Sequence, residues 1–155
     1  MKIINWVLDM WIGIKKEITK EYKIRSDCHT TWETLMADLK RWFPDADYTY
    51  VTDDKPRLIY RTDMKKIASL NLGIFKKWTK EKYDCENKAN VMQGIMSYKY
   101  GNFAFGTVRV NTVNGGHMLN CFIDQYNKFN FFEPQTNKIF RPSKTLKYVV
   151  KHVII

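Results

Sequence analysis

The sequence predicts an α+β fold, on three observations. Apolar residues recur at helical spacing through the first forty or so positions, a second capped helical pattern opens after Asp84, and from Phe103 onward short alternating runs are separated by turn-forming residues. Helices first, then a cysteine-bearing helix laid on an antiparallel meander, is the architecture that this order implies.

Residues 3 to 22 show helical spacing and end in the charged run Lys15 to Lys23. A helix is predicted to start at Thr30, whose hydroxyl would cap the backbone while Glu33 reaches back; its apolar face comprises Trp32, Leu35, Met36, Leu39 and Trp42, and Pro44 follows its end. Tyr48 to Val51, a turn at Asp53-Asp54-Lys55-Pro56, and Leu58 to Tyr60 read as a hairpin. A short helix over 63 to 72 and a basic connector over 73 to 82 come next. Asp84 is a suitable helix cap, which puts Cys85 in the first turn with Ala89, Met92, Ile95 and Met96 on one side. Strands are predicted over Phe103 to Asn111, His117 to Asp124, Lys128 to Glu133 and Lys138 to Arg141. Asn114-Gly115-Gly116 and Gln125-Tyr126-Asn127 are the turns between them. The tail from Thr145 to Ile155 fits strand or helix.

A length of 155 residues with 45% hydrophobic content suits one domain, 1–155, in which 1–62 is a helical and hairpin part and 80–141 carries the chemistry. Seven glycines and four prolines are too few for a disordered chain. Asp9 interrupts the apolar run Ile3 to Ile12, which is too short to span a bilayer and has no small-residue cleavage site after it. No transmembrane segment or export signal is therefore expected, and Cys28, Cys85 and Cys121 are read as thiols in a reducing, cytoplasmic setting. The net charge of +10 favours acidic partners and leaves nucleic acid open, but the lysines are spread over several segments as on solvated faces.

Cys85, His117 and Glu133 each fall at the end of a predicted element, in the order nucleophile, base, orienting group. A helix start supplies partial positive charge and free amides, which favour a thiolate and can serve an oxyanion; Asp84 and Glu86 oppose it. Strand register bears on the trio. With a three-residue loop at Gln125-Tyr126-Asn127, Asp124 pairs with Lys128, Asn130 faces Phe122, and His117 shares a face with Glu133. A two-residue loop would put them on opposite faces. In the chemistry so expected, His117 takes the proton of Cys85, Glu133 fixes the tautomer, and the thiolate attacks an amide carbonyl. Gln135 would donate to the oxyanion, bind a metal or merely finish the strand. The bland alternatives are a small buried thiol, a loop-ending histidine and a strand-ending glutamate. Cys121 lies mid-strand among apolar neighbours and is read as core.

Tyr83-Asp84-Cys85, Gly116-His117-x-x-Asn120 and Phe132-Glu133-Pro134-Gln135, within residues 80 to 141, resemble the papain-like cysteine protease domain found at the C-terminus of Marasmius oreades agglutinin and in small phage and bacterial proteins. The resemblance implies a papain-like fold and proteolysis with Cys85 as nucleophile, His117 as base and Glu133 as orienting acid. It also implies a bound divalent cation such as calcium, with Asp84, Glu86, Asn87 and Gln135 as candidate ligands. The agglutinin's sugar-binding β-trefoil does not fit a chain of this length, so carbohydrate binding is not implied, and Glu86 and Asn87 stand where that family tends to place aspartates. The expectation is a cysteine peptidase acting on a protein or peptide. Its competitors are a non-enzymatic basic binding or inhibitor protein of viral or mobile-element origin and a transglutaminase-like acyl transferase.

Overall fold

The computed structural model describes residues 22–69, 84–143 and 147–155. The helix expected over 3 to 22, but for Tyr22, and the connector expected over 73 to 82 lie outside the described residues. Three helices are described, α1 (Trp32–Trp42), α2 (Arg61–Ser69) and α3 (Cys85–Tyr100). The strands are β1 (Tyr48–Tyr50), β2 (Phe105–Thr112), β3 (Gly115–Ile123), β4 (Phe129–Glu133), β5 (Lys138–Phe140) and β6 (Val149–Ile154). They form one sheet in the order β1-β6-β2-β3-β4-β5. The α+β class holds. Among the described residues no helix is long and apolar enough to cross a membrane.

The sheet is mixed rather than antiparallel throughout, because β1 runs parallel to β6. The expected hairpin between residues 48–51 and 58–60 does not form. Tyr50 accepts from the Ile155 amide at 2.9 Å, so the backbone that the hairpin would have used is bonded to the C-terminal strand. Leu58 and Ile59 instead donate to Cys28 and Ile123 at 2.9 and 3.0 Å. The undecided tail becomes strand β6 from Val149, filling the slot between β1 and β2.

Helix α1 starts one residue later than its sequence predicts. The Thr30 amide donates to Pro56 at 3.1 Å, tying it into the neighbouring segment, and Thr31 takes the cap, accepting from the Thr34 amide at 3.3 Å. The Glu33 carboxyl is held below the ordinary carboxylate range by its own backbone amide and then by the Thr31 hydroxyl. Helix α3 starts where expected: Asp84 Oδ1 accepts from the Glu86 and Asn87 amides, and Asn87 Oδ1 accepts from the Asp84 amide, closing a capping box.

Helices cover both faces of the sheet. On one face Val108, Val110, Leu119, Cys121, Ile123, Phe129 and Phe131 are buried with Leu35 and Leu39 of α1. On the other, Phe105, Phe122 and Phe132 are buried with Met64 and Ile67 of α2 and Met92 and Met96 of α3. Period-two alternation assigns each strand residue to one of these faces. A bulge between Arg109 and Val110 in the β2–β6 ladder lets Val150 and Val153 both join the α1 face.

Two local constraints hold the edges together. Gly106 of β2 sits so close to β6 that a Cβ there would lie 1.7 Å from the Ile154 carbonyl oxygen. Arg25 grips buried Asp63 of α2 with its Nε and its backbone amide, at 3.1 and 3.2 Å, while its guanidinium stacks 3.7 Å above the Tyr60 ring. Burial alone would raise the Asp63 carboxyl, but the bonds from Arg25 outweigh it and the net shift is downward. A carboxyl lowered on folding contributes stability above its unfolded value, and that contribution is lost as pH falls through the folded one.

Gly106→Ala is expected to cost about 3 kcal/mol in urea unfolding, because a main-chain oxygen cannot yield as a side chain would. Asp63→Asn is expected to cost about 1 kcal/mol near neutral pH, with the difference from wild type closing below about pH 4. A urea series across pH measures it.

Candidate functional site

The β3–β4 connection sets the geometry of the site. Asp124 is fully buried, and its Oδ1 accepts from the amides of Tyr126 and Lys128, both at 3.0 Å. The Asp124 amide donates to the Lys128 carbonyl at 2.9 Å, and Asn127 takes a positive φ of 55°. A three-residue loop therefore joins the strands, with Phe122 opposite Asn130 and Cys121 opposite Phe131, as the loop composition predicts.

In that register His117 and Glu133 point to the same face and meet. Nε2 of His117 donates to Glu133 Oε2 at 2.6 Å. The second carboxylate oxygen, Oε1, accepts from the Gln135 amide at 2.8 Å, so both oxygens are engaged. The two side chains are 22% and 14% exposed, a half-buried pair in which a charge-assisted bond is stronger than at the open surface. Gln135 itself is exposed.

Cys85 is not joined to this pair. It is the first residue of α3, half-buried, and α3 packs on the sheet face that carries Asn120, Phe122 and Phe132. Asn120 Nδ2 donates to the Ala89 carbonyl of α3 at 2.9 Å and to Gly106 at 3.1 Å. Alternation puts His117 and Glu133 on the opposite face, and among the described residues no hydrogen bond links the Cys85 sulfur to either. The structure thus brings together two of the three residues expected to act as a unit. Cys121 is core, fully buried, and burial pushes its thiol well above the ordinary range. Cys28 donates to the Tyr60 hydroxyl at 3.4 Å; with Asp27 accepting from that hydroxyl, the Tyr60 phenol is raised to about 12.

The candidate cation ligands are divided between two elements. Asp84 Oδ1 and Asn87 Oδ1 are both spent on the helix cap, while Gln135 belongs to a different element, the β4–β5 turn. Among the described residues no group of three or more His, Cys, Asp and Glu side chains could hold a metal ion.

A concave surface opens on the α1 face of the sheet. A groove of about 410 Å³ is walled by Trp42, Phe43, Pro142 and Tyr148, floored by Phe131 and Val150, and edged by Asp45 and Ser143. Glu133 lies two residues beyond Phe131 on the same face of β4, about 7 Å along the strand, so the His117–Glu133 pair and the groove share one side of the sheet. Little in the order of residues points to this groove. Trp42 reads as one more residue on an apolar helix face, and Tyr148 lies in a tail with no decided structure; β6 brings them together.

The same fold occurs in solved structures. The "PSL1a-E64 complex" superposes with a TM-score of 0.65 and 21% identity over 82% of this chain and 50% of that one. Polyporus squamosus lectin bound to the human-type influenza-binding epitope Neu5Aca2-6Galb1-4GlcNAc gives 0.66 and 21% over 82% and 49%. This chain spans about half the length of each, and at that identity the likeness establishes the fold. No protein-family model and no curated protein matches the chain.

These neighbours overturn the peptidase expectation. One of them is named as a lectin, and against it the hydrolase and acyl-transferase readings, the protease vocabulary and the protein or peptide substrate are withdrawn. Among the described residues the hydrogen bond that forms within the trio is the one between His117 and Glu133.

Removing the Glu133 carboxylate strands His117 and the Gln135 amide. Glu133→Ala is expected to lower unfolding stability by about 1.5 kcal/mol, and Cys85→Ser by less than about 0.5 kcal/mol. Chemical denaturation of the two variants compares them directly.

Proposed function

We propose that this chain is a non-enzymatic binding protein that holds a carbohydrate in the Trp42–Tyr148 groove. The observation that carries the reading is the chemistry of that groove. A sugar ring presents flat patches of C–H groups edged by hydroxyls, and aromatic walls with polar groups at the margin complement both features. Trp42, Phe43 and Tyr148 supply the walls, and Asp45 and Ser143 supply hydroxyl partners at the margin. The His117–Glu133 pair lies on the same side of the sheet, beyond the residues that line the groove. Its 410 Å³ lies within the roughly 300–1,000 Å³ span of small-molecule sites and suits one or two sugar rings.

The proposal rests on this chain's own groove, because the lectin likeness is one of fold and only about half of the lectin's length is matched. We also propose that the scaffold is the papain-like half of an agglutinin-type protein, with the cysteine-bearing helix kept as a packing element.

The purified chain is expected to bind members of a glycan array, with quenching of tryptophan fluorescence on titration. Trp42→Ala is expected to weaken that binding at least about tenfold, as loss of a central aromatic anchor does, while Cys85→Ala leaves it intact. Absence of binding to any glycan overturns the proposal. So does hydrolysis of a labelled protein substrate that disappears in Cys85→Ala.

A further inference from the structure

A second depression, of about 270 Å³, adjoins the groove and shares Trp42, Phe43 and Pro142 with it. Its remaining lining is Phe129 and two cations, Lys128 and Arg141. We infer that this pocket is an anion subsite and that the ligand is a glycan bearing a carboxylate, as a uronic acid does. The inference rests on the glycan-binding reading and adds the ligand's charge to it.

The guanidinium of Arg141 is held in place. Its Nη2 donates at 3.1 Å to Oδ2 of Asp124, a fully buried carboxylate that also accepts from the side-chain amide of Asn130 at 3.1 Å. Asp124 is anchored in turn by the Tyr126 and Lys128 amides. A long flexible cation normally loses rotamer freedom when it binds an anion; one already pinned by a buried partner loses less. Arg141 is still 51% exposed, so the rest of its planar fork remains open to the pocket, where it can meet a carboxylate. Lys128 is exposed and sets a second positive charge on the same wall. Trp42, Phe43 and Pro142 line both depressions, which are therefore contiguous. A ring seated in the larger one can therefore direct a carboxylate across them to Arg141.

The test compares methyl glucuronide and methyl glucoside, and oligomers of each, by calorimetry or ligand-observed NMR on the purified chain. The carboxylated sugar is expected to bind at least about tenfold more tightly than its neutral counterpart, with the preference shrinking as salt rises. Arg141→Gln is expected to bring the ratio of the two affinities towards one. Lys128→Gln is expected to reduce it partly, which keeps the test open should Arg141→Gln unfold. Equal affinity for both sugars in the wild type overturns the anion subsite and leaves the groove standing. Binding of neither sugar or its oligomers overturns the glycan reading and the subsite with it.

Discussion

Asp124 is a carboxylate with no exposure to solvent, a placement that is costly unless hydrogen bonds replace the lost water. Here two backbone amides, the Asn130 amide group and the Arg141 guanidinium replace it. Together they specify a three-residue loop and with it the pairing of β3 with β4. A slip of one residue would turn Leu119, Cys121 and Ile123 toward α3 and part His117 from Glu133. The site, the core under α1 and the cation beside the aromatic groove all depend on this one buried charge.

The sequence exposed the local parts of the fold and hid the distant ones. The Asp84 cap, the loop at Gln125 to Asn127 and the shared face of His117 and Glu133 are set by residues close in the chain, and their chemistry is visible in the letters. β1 departs from the hairpin expectation because Tyr48 to Tyr50 forms a parallel ladder with β6, a partner that no nearby turn announces. Thr30 has the chemistry of a helix cap, but its amide is bonded to the Pro56 carbonyl and Thr31 caps α1. The groove was hidden for the same reason, since it is assembled from the end of α1, the middle of β4 and the start of β6.

The thiol, imidazole and carboxylate show how order along a chain can mislead. Each sits at the end of an element, as a reactive group would, yet the sheet stands between α3 and the face on which His117 and Glu133 meet. Strand alternation puts the imidazole–carboxylate pair on the side of the sheet that carries the aromatic groove.

Strand β6 fills the place between β1 and β2, and the bond from Thr52 to Ile155 spans 103 residues of sequence. Contacts between such distant segments form slowly, because the intervening chain must first be brought to order. Until β6 arrives, β2 presents an unsatisfied edge and the stacked rings of Tyr48 and Tyr50 have no sheet to join. The nascent polypeptide therefore passes through an adhesive interval during synthesis, and the abundance of positive charge in this sequence is well suited to keeping such half-made copies apart.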